Sequence, residues 1–209
     1  MIPKIVHQIW VGDSPPINIQ KCINSVKHFS EDYNYILWDY TELSKLDNIP
    51  NFVTNLYHEK KYAEYSDYMR IHILSVYGGI YLDADIQLVK HLDIPLDINA
   101  IGCSENDVAS YTSVGFLAAT KEVAEQWLLD TTMIMETNVF SLMPIWFSDI
   151  LKKTNNHIIL PSETFYPYAW DNEFNSNCIK PTTIGIHHWA ASWHDDGSYI
   201  KDKFNKLEL

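Results

Sequence analysis

Positive charge is scarce in this chain: 15 lysines and arginines stand against 27 aspartates and glutamates in 209 residues, a formal net charge of -12. The few basic residues are scattered, and that excludes nucleic acid as the main partner, because gripping phosphate backbones takes a basic stripe. An acidic protein that must hold a diphosphate has one ready remedy, a divalent cation. Cysteine is also sparse. Cys22, Cys103 and Cys178 are odd in number and far apart, with no CxxC spacing for zinc or dithiol chemistry, so they read as buried reduced thiols.

No stretch approaches the length of a membrane span, and the opening MIPKIVHQIW lacks the apolar core of a signal peptide. The expectation is a soluble, cytoplasmic protein. Repeats, low-complexity segments and Pro/Gly/Ser linkers are missing too, so residues 1–209 read as one domain, either whole or as part of a longer protein. With 46% apolar and 20% charged residues the chain can bury a real core.

What is present alternates between strand and helix patterns. Lys4 to Val11 is an apolar, β-rich run closed by Gly12-Asp13 and Pro15-Pro16, which predicts a buried first strand, and residues 18 to 29 read as helical. A second strand at Tyr33 to Trp38 and a short helix at Thr41 to Leu46 follow, a succession that implies a parallel sheet. Lys60 to Tyr77 has helical spacing, with Ala63, Asp67, Arg70, Leu74 and Tyr77 on one face, and stops at Gly78-Gly79. Ile80 to Leu82 is a short strand running into Asp83-Ala84-Asp85. Further strands are expected at Ala100 to Cys103, Gly115 to Ala119, Ile158 to Pro161 and Thr183 to Trp189, with helices at Lys121 to Met135 and Ile145 to Lys152.

The acidic triplet sits at the carboxyl end of a strand, the edge at which open α/β sheets bind ligands. Residues two apart on an extended backbone project to the same side, so Asp83 and Asp85 can share one hard cation, Mn²⁺ or Mg²⁺, able to bridge a diphosphate. Such a cation neutralises charge on a departing nucleoside diphosphate. Acidic turns are common, and a lone DxD is weak on its own. Asp67 and Arg70, at i and i+3 on the preceding helix, read either as a surface ion pair or as a grip on a sugar and its phosphate.

The stretch YSDYMRIHILSVYGGIYLDAD, residues 65 to 85, resembles the DXD-containing sugar-binding region of the glycosyltransferase family that includes Och1-like mannosyltransferases and bacterial capsular-polysaccharide transferases, with distant relatives among the clostridial glucosylating toxins. IPKIVHQIWVG resembles that family's first strand and HHWAASW, residues 187 to 193, its last. The length is also similar to that of a chlorella-virus glycosyltransferase domain.

The resemblance implies a GT-A fold, a Rossmann-like α/β/α sandwich around a mostly parallel sheet. It implies Asp67, Arg70, Asp83 and Asp85 as catalytic residues, and a donor-binding set of Trp10, Val11, Asp67, Arg70, Tyr81, Asp83, Ala84, Asp85, Ser192 and Trp193. Trp10 would stack on the nucleotide base, unless it is a core aromatic. Ser192 and Trp193 would close over the diphosphate as part of a lid. Adjacent in a strand, His187 and His188 face opposite ways, so one can reach the metal. The resemblance favours His188 beside Asp83 and Asp85.

The implied activity is transfer of a hexose-type sugar from a nucleoside diphosphate donor, a UDP-sugar before a GDP-sugar, to a glycan or other hydroxyl acceptor, with retention of configuration. No residue identifies itself as a nucleophile, which leaves front-face displacement. Tyr111-Thr112-Ser113-Val114-Gly115 departs from the family's pattern near the acceptor, and the aromatic run Phe165 to Trp170 reads either as core or as a stacking surface for sugar. Two rivals remain: a Mg²⁺-dependent phosphohydrolase, whose second acidic cluster could only be Asp195-Asp196, and a non-catalytic carbohydrate-binding module, which leaves the DxD unexplained.

Overall fold

The computed structural model describes residues 1–106, 111–137, 143–190 and residue 204. In chain order the strands and helices are β1 (Ile5–Ile9), α1 (Ile17–Phe29), β2 (Asn34–Trp38), α2 (Tyr40–Leu43), α3 (Asn51–His58), α4 (Tyr62–Tyr77), β3 (Gly79–Leu82) and β4 (Ile86–Leu88). They continue with β5 (Ala100–Ser104), β6 (Thr112–Ala119), α5 (Lys121–Met135), α6 (Met143–Lys153), β7 (His157–Leu160) and β8 (Gly185–His187). The main sheet has the order β2-β1-β3-β6-β5-β7 and only β6 runs against the rest, so it is the mostly parallel sheet expected. No helix among the described residues is long and apolar enough to cross a membrane.

Strand residues alternate between two cores. Tyr81 and Leu117 face one core with Ile71, Leu74, Trp127 and Phe147 from α4, α5 and α6. Ile80, Leu82 and Phe116 face the other, with Val26 from α1 and Phe165. The second layer also contains Ile86 and Leu88 of β4, which pairs antiparallel with β8 as a two-stranded sheet. Helix, sheet and helix thus form the sandwich, and the small β4-β8 sheet carries His187 beside the end of β3.

Helix α4 is the pivot of the site. The sequence suggests a single inward face, but Tyr68 to Ser75 are buried without a break, because α4 lies between the sheet and α5. Its exit needs glycine. Gly79 has φ +104°, and a Cβ there would lie 2.6 Å from the carbonyl oxygen of Ile5, so only glycine lets β3 start flush against β1.

Two elements are not expected from the sequence. Helix α3 has no side-chain cap, and β4 is only three residues long, too short to show a period. The last strand is shorter than predicted, since Trp189 takes a left-handed φ of +55° that ends it.

Candidate active site

A cavity of about 1010 Å³ opens at the carboxyl edge of the main sheet. Trp10 to Ser14, just after β1, and Tyr62 to Arg70 of α4 contribute one set of lining residues. Asp83, Ala84 and Asp85 come from the end of β3, Gly115 from β6, Glu105 from just after β5, and His187, Trp189 and Ala190 from the end of β8.

The acidic triplet is a turn rather than an extension of the strand. The amide of Ile86 donates to the carbonyl oxygen of Asp83 at 3.0 Å, and the chain passes from one sheet to the other across Ala84 and Asp85. The two carboxylates therefore converge by a tight turn and not by strand pleating, which corrects the reason given for their proximity. The turn is held from both sides, with the Asp83 amide donating to Gly115 O at 2.8 Å and Gln8 Nε2 donating to Asp83 O at 3.1 Å.

Asp83 is gripped at both oxygens. Its Oδ1 accepts from the Tyr81 hydroxyl at 2.8 Å and lies 3.3 Å from Arg70 Nη1, while Oδ2 is 3.6 Å from His187 Nε2. Burial alone pushes this carboxyl up, but Arg70 and then His187 outweigh it and hold the group well below the usual range, so it stays ionised.

Arg70 is 5% exposed. Its Nη2 pairs with Asp67 Oδ1 at 2.8 Å, Nη1 donates to Val114 O at 2.7 Å as well as facing Asp83, Nε reaches Ser66 O at 3.3 Å, and the guanidinium lies over the Tyr81 ring at 4.8 Å. The surface ion pair is thereby excluded. The donor-gripping alternative also needs revision, because four of the five N–H groups of a guanidinium are directed at protein atoms. Arg70 positions carboxylates. Burial raises Asp67 to about 6 against the pull of Arg70, leaving the outer end of this pair the easier one to protonate.

His187 closes the cluster. Its Nε2 lies 3.2 Å from Asp85 Oδ1, and the Trp189 ring meets the imidazole edge-on with centroids 4.3 Å apart. Burial disfavours the imidazolium, but Asp85 and Asp83 overcome that and raise His187 to about 10, so in the absence of a cation the ring itself carries positive charge between the two carboxylates. The left-handed backbone at Trp189, a conformation rare for a bulky residue, turns the chain so that the Ala190 amide donates to Asp85 Oδ2 at 2.8 Å.

Asp83, Asp85 and His187 each offer one ligand atom within 4.8 Å of the others, the one such group of three among the described residues. Two carboxylate oxygens and an imidazole nitrogen could hold a divalent cation. His187 Nδ1 is buried without a hydrogen-bond partner among the described residues.

The expectation that His188 faces the metal is corrected. β8 pairs His187 with Ile86, and the alternation of side chains sends His188 the other way, where its Nε2 meets Gln87 Oε1 at 2.9 Å and its ring packs near Phe204. Trp10, Val11, Asp67, Arg70, Tyr81, Asp83, Ala84 and Asp85 all line the cavity. Trp10 stays partly exposed, its indole N–H donating to Asp13 O, so it is not plain core. Ser192 and Trp193 lie outside the described residues, as do Asp195 and Asp196.

Sequence reasoning passed over Glu105 and Gly115. Glu105 stands one residue beyond a strand, on the same edge as the triplet, and that position was signal enough to single it out. Gly115 carries no such signal, for its role is to leave space: a Cβ there would lie 2.6 Å from Asp83 Oδ2.

Comparison with known proteins agrees with this geometry. Residues 16–107 match the family model described as a glycosyltransferase sugar-binding region containing a DXD motif. A mannosyl phosphorylinositol ceramide synthase of Saccharomyces cerevisiae is 35% identical over 99% of this chain and 57% of its own length. Inositol phosphoceramide mannosyltransferase 3 of Schizosaccharomyces pombe is 34% identical over 95% of this chain and 58% of its own. The chain thus spans under three fifths of these two relatives. Among solved structures, a glycosyltransferase involved in glycosylating the major capsid of PBCV-1 superposes with a TM-score of 0.58 over 99% of this chain and all of that one, at 13% identity. The PaToxG glycosyltransferase gives 0.57 over 73% of this chain and 69% of that one, at 21% identity. The fold shared with both is GT-A, and the DXD turn at the centre of the cavity lies within the stretch that is similar to that glycosyltransferase sugar-binding region.

Proposed function

We propose that this cavity transfers a hexose from a nucleoside diphosphate sugar to a hydroxyl acceptor, with a divalent cation held by Asp83, Asp85 and His187. The carrying observation is the convergence of those three side chains where β3 ends, in a cavity large enough for a dinucleotide-sized donor. The cation, Mn²⁺ or Mg²⁺, supplies Lewis-acid neutralisation of the leaving diphosphate.

The chain's own residues do the rest. Trp10, at the end of β1, offers an aromatic face for the base. Tyr81 and Arg70 keep Asp83 ionised and aimed, Ala190 fixes Asp85, and Asp67 at the cavity wall is available to a sugar hydroxyl. Ser192 and Trp193 keep their proposed place over the diphosphate. Front-face displacement with retention remains the proposed course, with the leaving phosphate taking the acceptor's proton.

UDP is the first nucleotide to test and GDP the second. One yeast relative is named a mannosyltransferase and the other a mannosyl phosphorylinositol ceramide synthase, which makes mannose the first sugar to test. Nothing in the site favours the phosphohydrolase, since the described residues hold no second cluster of metal-binding carboxylates. A thermal-shift screen of UDP- and GDP-sugars, each with Mn²⁺ and with EDTA, tests the reading. A ligand at a hundred times its Kd adds about 2.7 kcal/mol to stability. Stabilisation by a nucleotide sugar only in the presence of Mn²⁺ is expected, and no stabilisation by any of them would overturn the proposal.

A further inference from the structure

Resting on that reading of the cavity, we propose that Trp170 and Glu105 form its acceptor subsite, the indole stacking on a sugar or other polyhydroxylated ring and the carboxylate accepting one of that ring's hydroxyls. In strand order β1, which Trp10 follows, lies on one side of β3. Glu105 follows β5, on the other side of β3, and Trp170, in the segment between β7 and β8, lines the same cavity. A donor laid with its base at Trp10 and its diphosphate at Asp85 leaves the remaining lining, Glu105 and Trp170 included, for the acceptor. At about 1010 Å³ the space is at the upper end for a single small ligand and leaves room for a second ring.

Trp170 is 59% exposed, yet the run that carries it is otherwise built into the fold. Phe165 is buried and stacks on Phe116 with centroids 4.2 Å apart, Tyr166 is buried, and Tyr168 O accepts from Trp189 Nε1 at 3.0 Å. The Asn172 amide then donates to Ala169 O at 3.0 Å, closing a turn with Trp170 at its second position. An indole raised on an anchored turn at the lining of a cavity is pre-ordered for a flat apolar face, and the C–H face of a sugar ring is one. Among the described residues no aromatic ring stacks on it.

Glu105 is half-buried, and its one hydrogen bond among the described residues comes from the Tyr111 hydroxyl at 3.4 Å. Burial raises its pKa while His187 opposes, and no Lys or Arg among the described residues pairs with it. A carboxylate with two oxygens and about four acceptor positions, only one of them engaged, can take hydroxyl donors without breaking a structural bond. Together the two residues offer what a sugar ring asks for, an apolar face and a strong acceptor.

The test is binding by saturation-transfer NMR of two probes, methyl α-D-mannopyranoside and myo-inositol, to protein loaded with Mn²⁺ and UDP, and to protein without them. Trp170→Ala and Glu105→Gln are each expected to weaken probe binding about tenfold while the Kd for UDP changes little. Met133→Ser, on the exposed face of α5, serves as the surface control. Probe binding unaffected in both variants, UDP affinity falling in parallel with it, or no probe binding to the unaltered protein would overturn the subsite. Failure of the donor reading is seen separately, as a protein that binds no nucleotide with Mn²⁺ while the probes still report on Trp170 and Glu105.

Discussion

The indole N–H of Trp38 donates to Nδ1 of His7 at 3.1 Å, and Nε2 on the other side of that ring lies 2.9 Å from the carbonyl oxygen of Gly78. Only the neutral ring protonated at Nε2 satisfies both neighbours, since a second proton at Nδ1 would point at the indole N–H. This one imidazole ties β1 to β2 and to the glycine hinge from which β3 leads to the acidic turn.

Stability should therefore fall on acidification in a way that His7 governs. Burial lowers its pKa from 6.5 to about 4, with the Gly78 hydrogen bond opposing. The unfolded chain takes up a proton first, so the contribution is whole above about pH 6.5 and is lost progressively toward about pH 4. The full loss is on the order of 3 kcal/mol. Gln at position 7 can donate to Gly78 and accept from Trp38 without titrating. Chemical denaturation of wild type and His7→Gln across that range should show the wild type losing more stability, and parallel curves would contradict the assignment.

Arg70 should behave as a structural clamp on the site and not as a ligand of the donor alone. Arg70→Ala strips a buried partner from Asp67 and Asp83, a change that typically costs about 3 to 5 kcal/mol. Arg70→Lys keeps the charge but cannot reproduce bonds to Asp67, Asp83, Val114 and Ser66 from one ammonium. Both variants should therefore lower the melting temperature and weaken Mn²⁺ binding measured without nucleotide. Unchanged melting and Mn²⁺ affinity, with only nucleotide affinity reduced, would return Arg70 to the donor.

The frame and the main acidic cluster were legible in the sequence because their signals are local. β1, β2 and β3 are apolar runs closed by turn residues, α5 is bounded as its spacing predicts, and the DxD lies next to a strand. The remainder depended on contacts between distant segments. Whether His187 or His188 faces the carboxylates is set by the register of β8 on β4, and β4 is too short to be seen in advance. The i, i+3 spacing of Asp67 and Arg70 showed that they meet, but only tertiary packing brings Asp83 and Val114 O to the same guanidinium. Glycine at 115 is informative only once Asp83 stands opposite it.

That opposition gives a prediction with little ambiguity of mechanism. A methyl group at position 115 would meet Asp83 Oδ2 at 2.6 Å and the Tyr166 hydroxyl at 3.0 Å, while no left-handed backbone strain is involved. Gly115→Ala should displace the Asp83 carboxylate and reduce Mn²⁺ affinity about 10- to 100-fold, as when a metal ligand loses its orientation. Calorimetric titration of Mn²⁺ into a variant that still melts cooperatively checks this, and wild-type affinity would show that Asp83 is not needed in its present position.

The two adjacent histidines separate the metal site from its scaffold. His187 Nε2 lies 3.2 Å from Asp85 Oδ1, whereas His188 spends its Nε2 on Gln87 and lines no part of the cavity. His187→Ala and Asp85→Ala each remove one of three ligand atoms and should lower Mn²⁺ affinity at least tenfold, with loss of nucleotide-sugar binding to match. His188→Gln should leave Mn²⁺ affinity near wild type, since its side chain faces the other side of β8, though some stability is lost with the Gln87 bond. EDTA should abolish nucleotide-sugar binding in the wild type, because two ionised carboxylates otherwise meet the diphosphate with only His187 between them. Titrating Mn²⁺ into all three variants decides the matter: a large loss in His188→Gln with none in His187→Ala would reverse the assignment, and equal nucleotide-sugar affinity with and without EDTA would remove the cation from the site altogether.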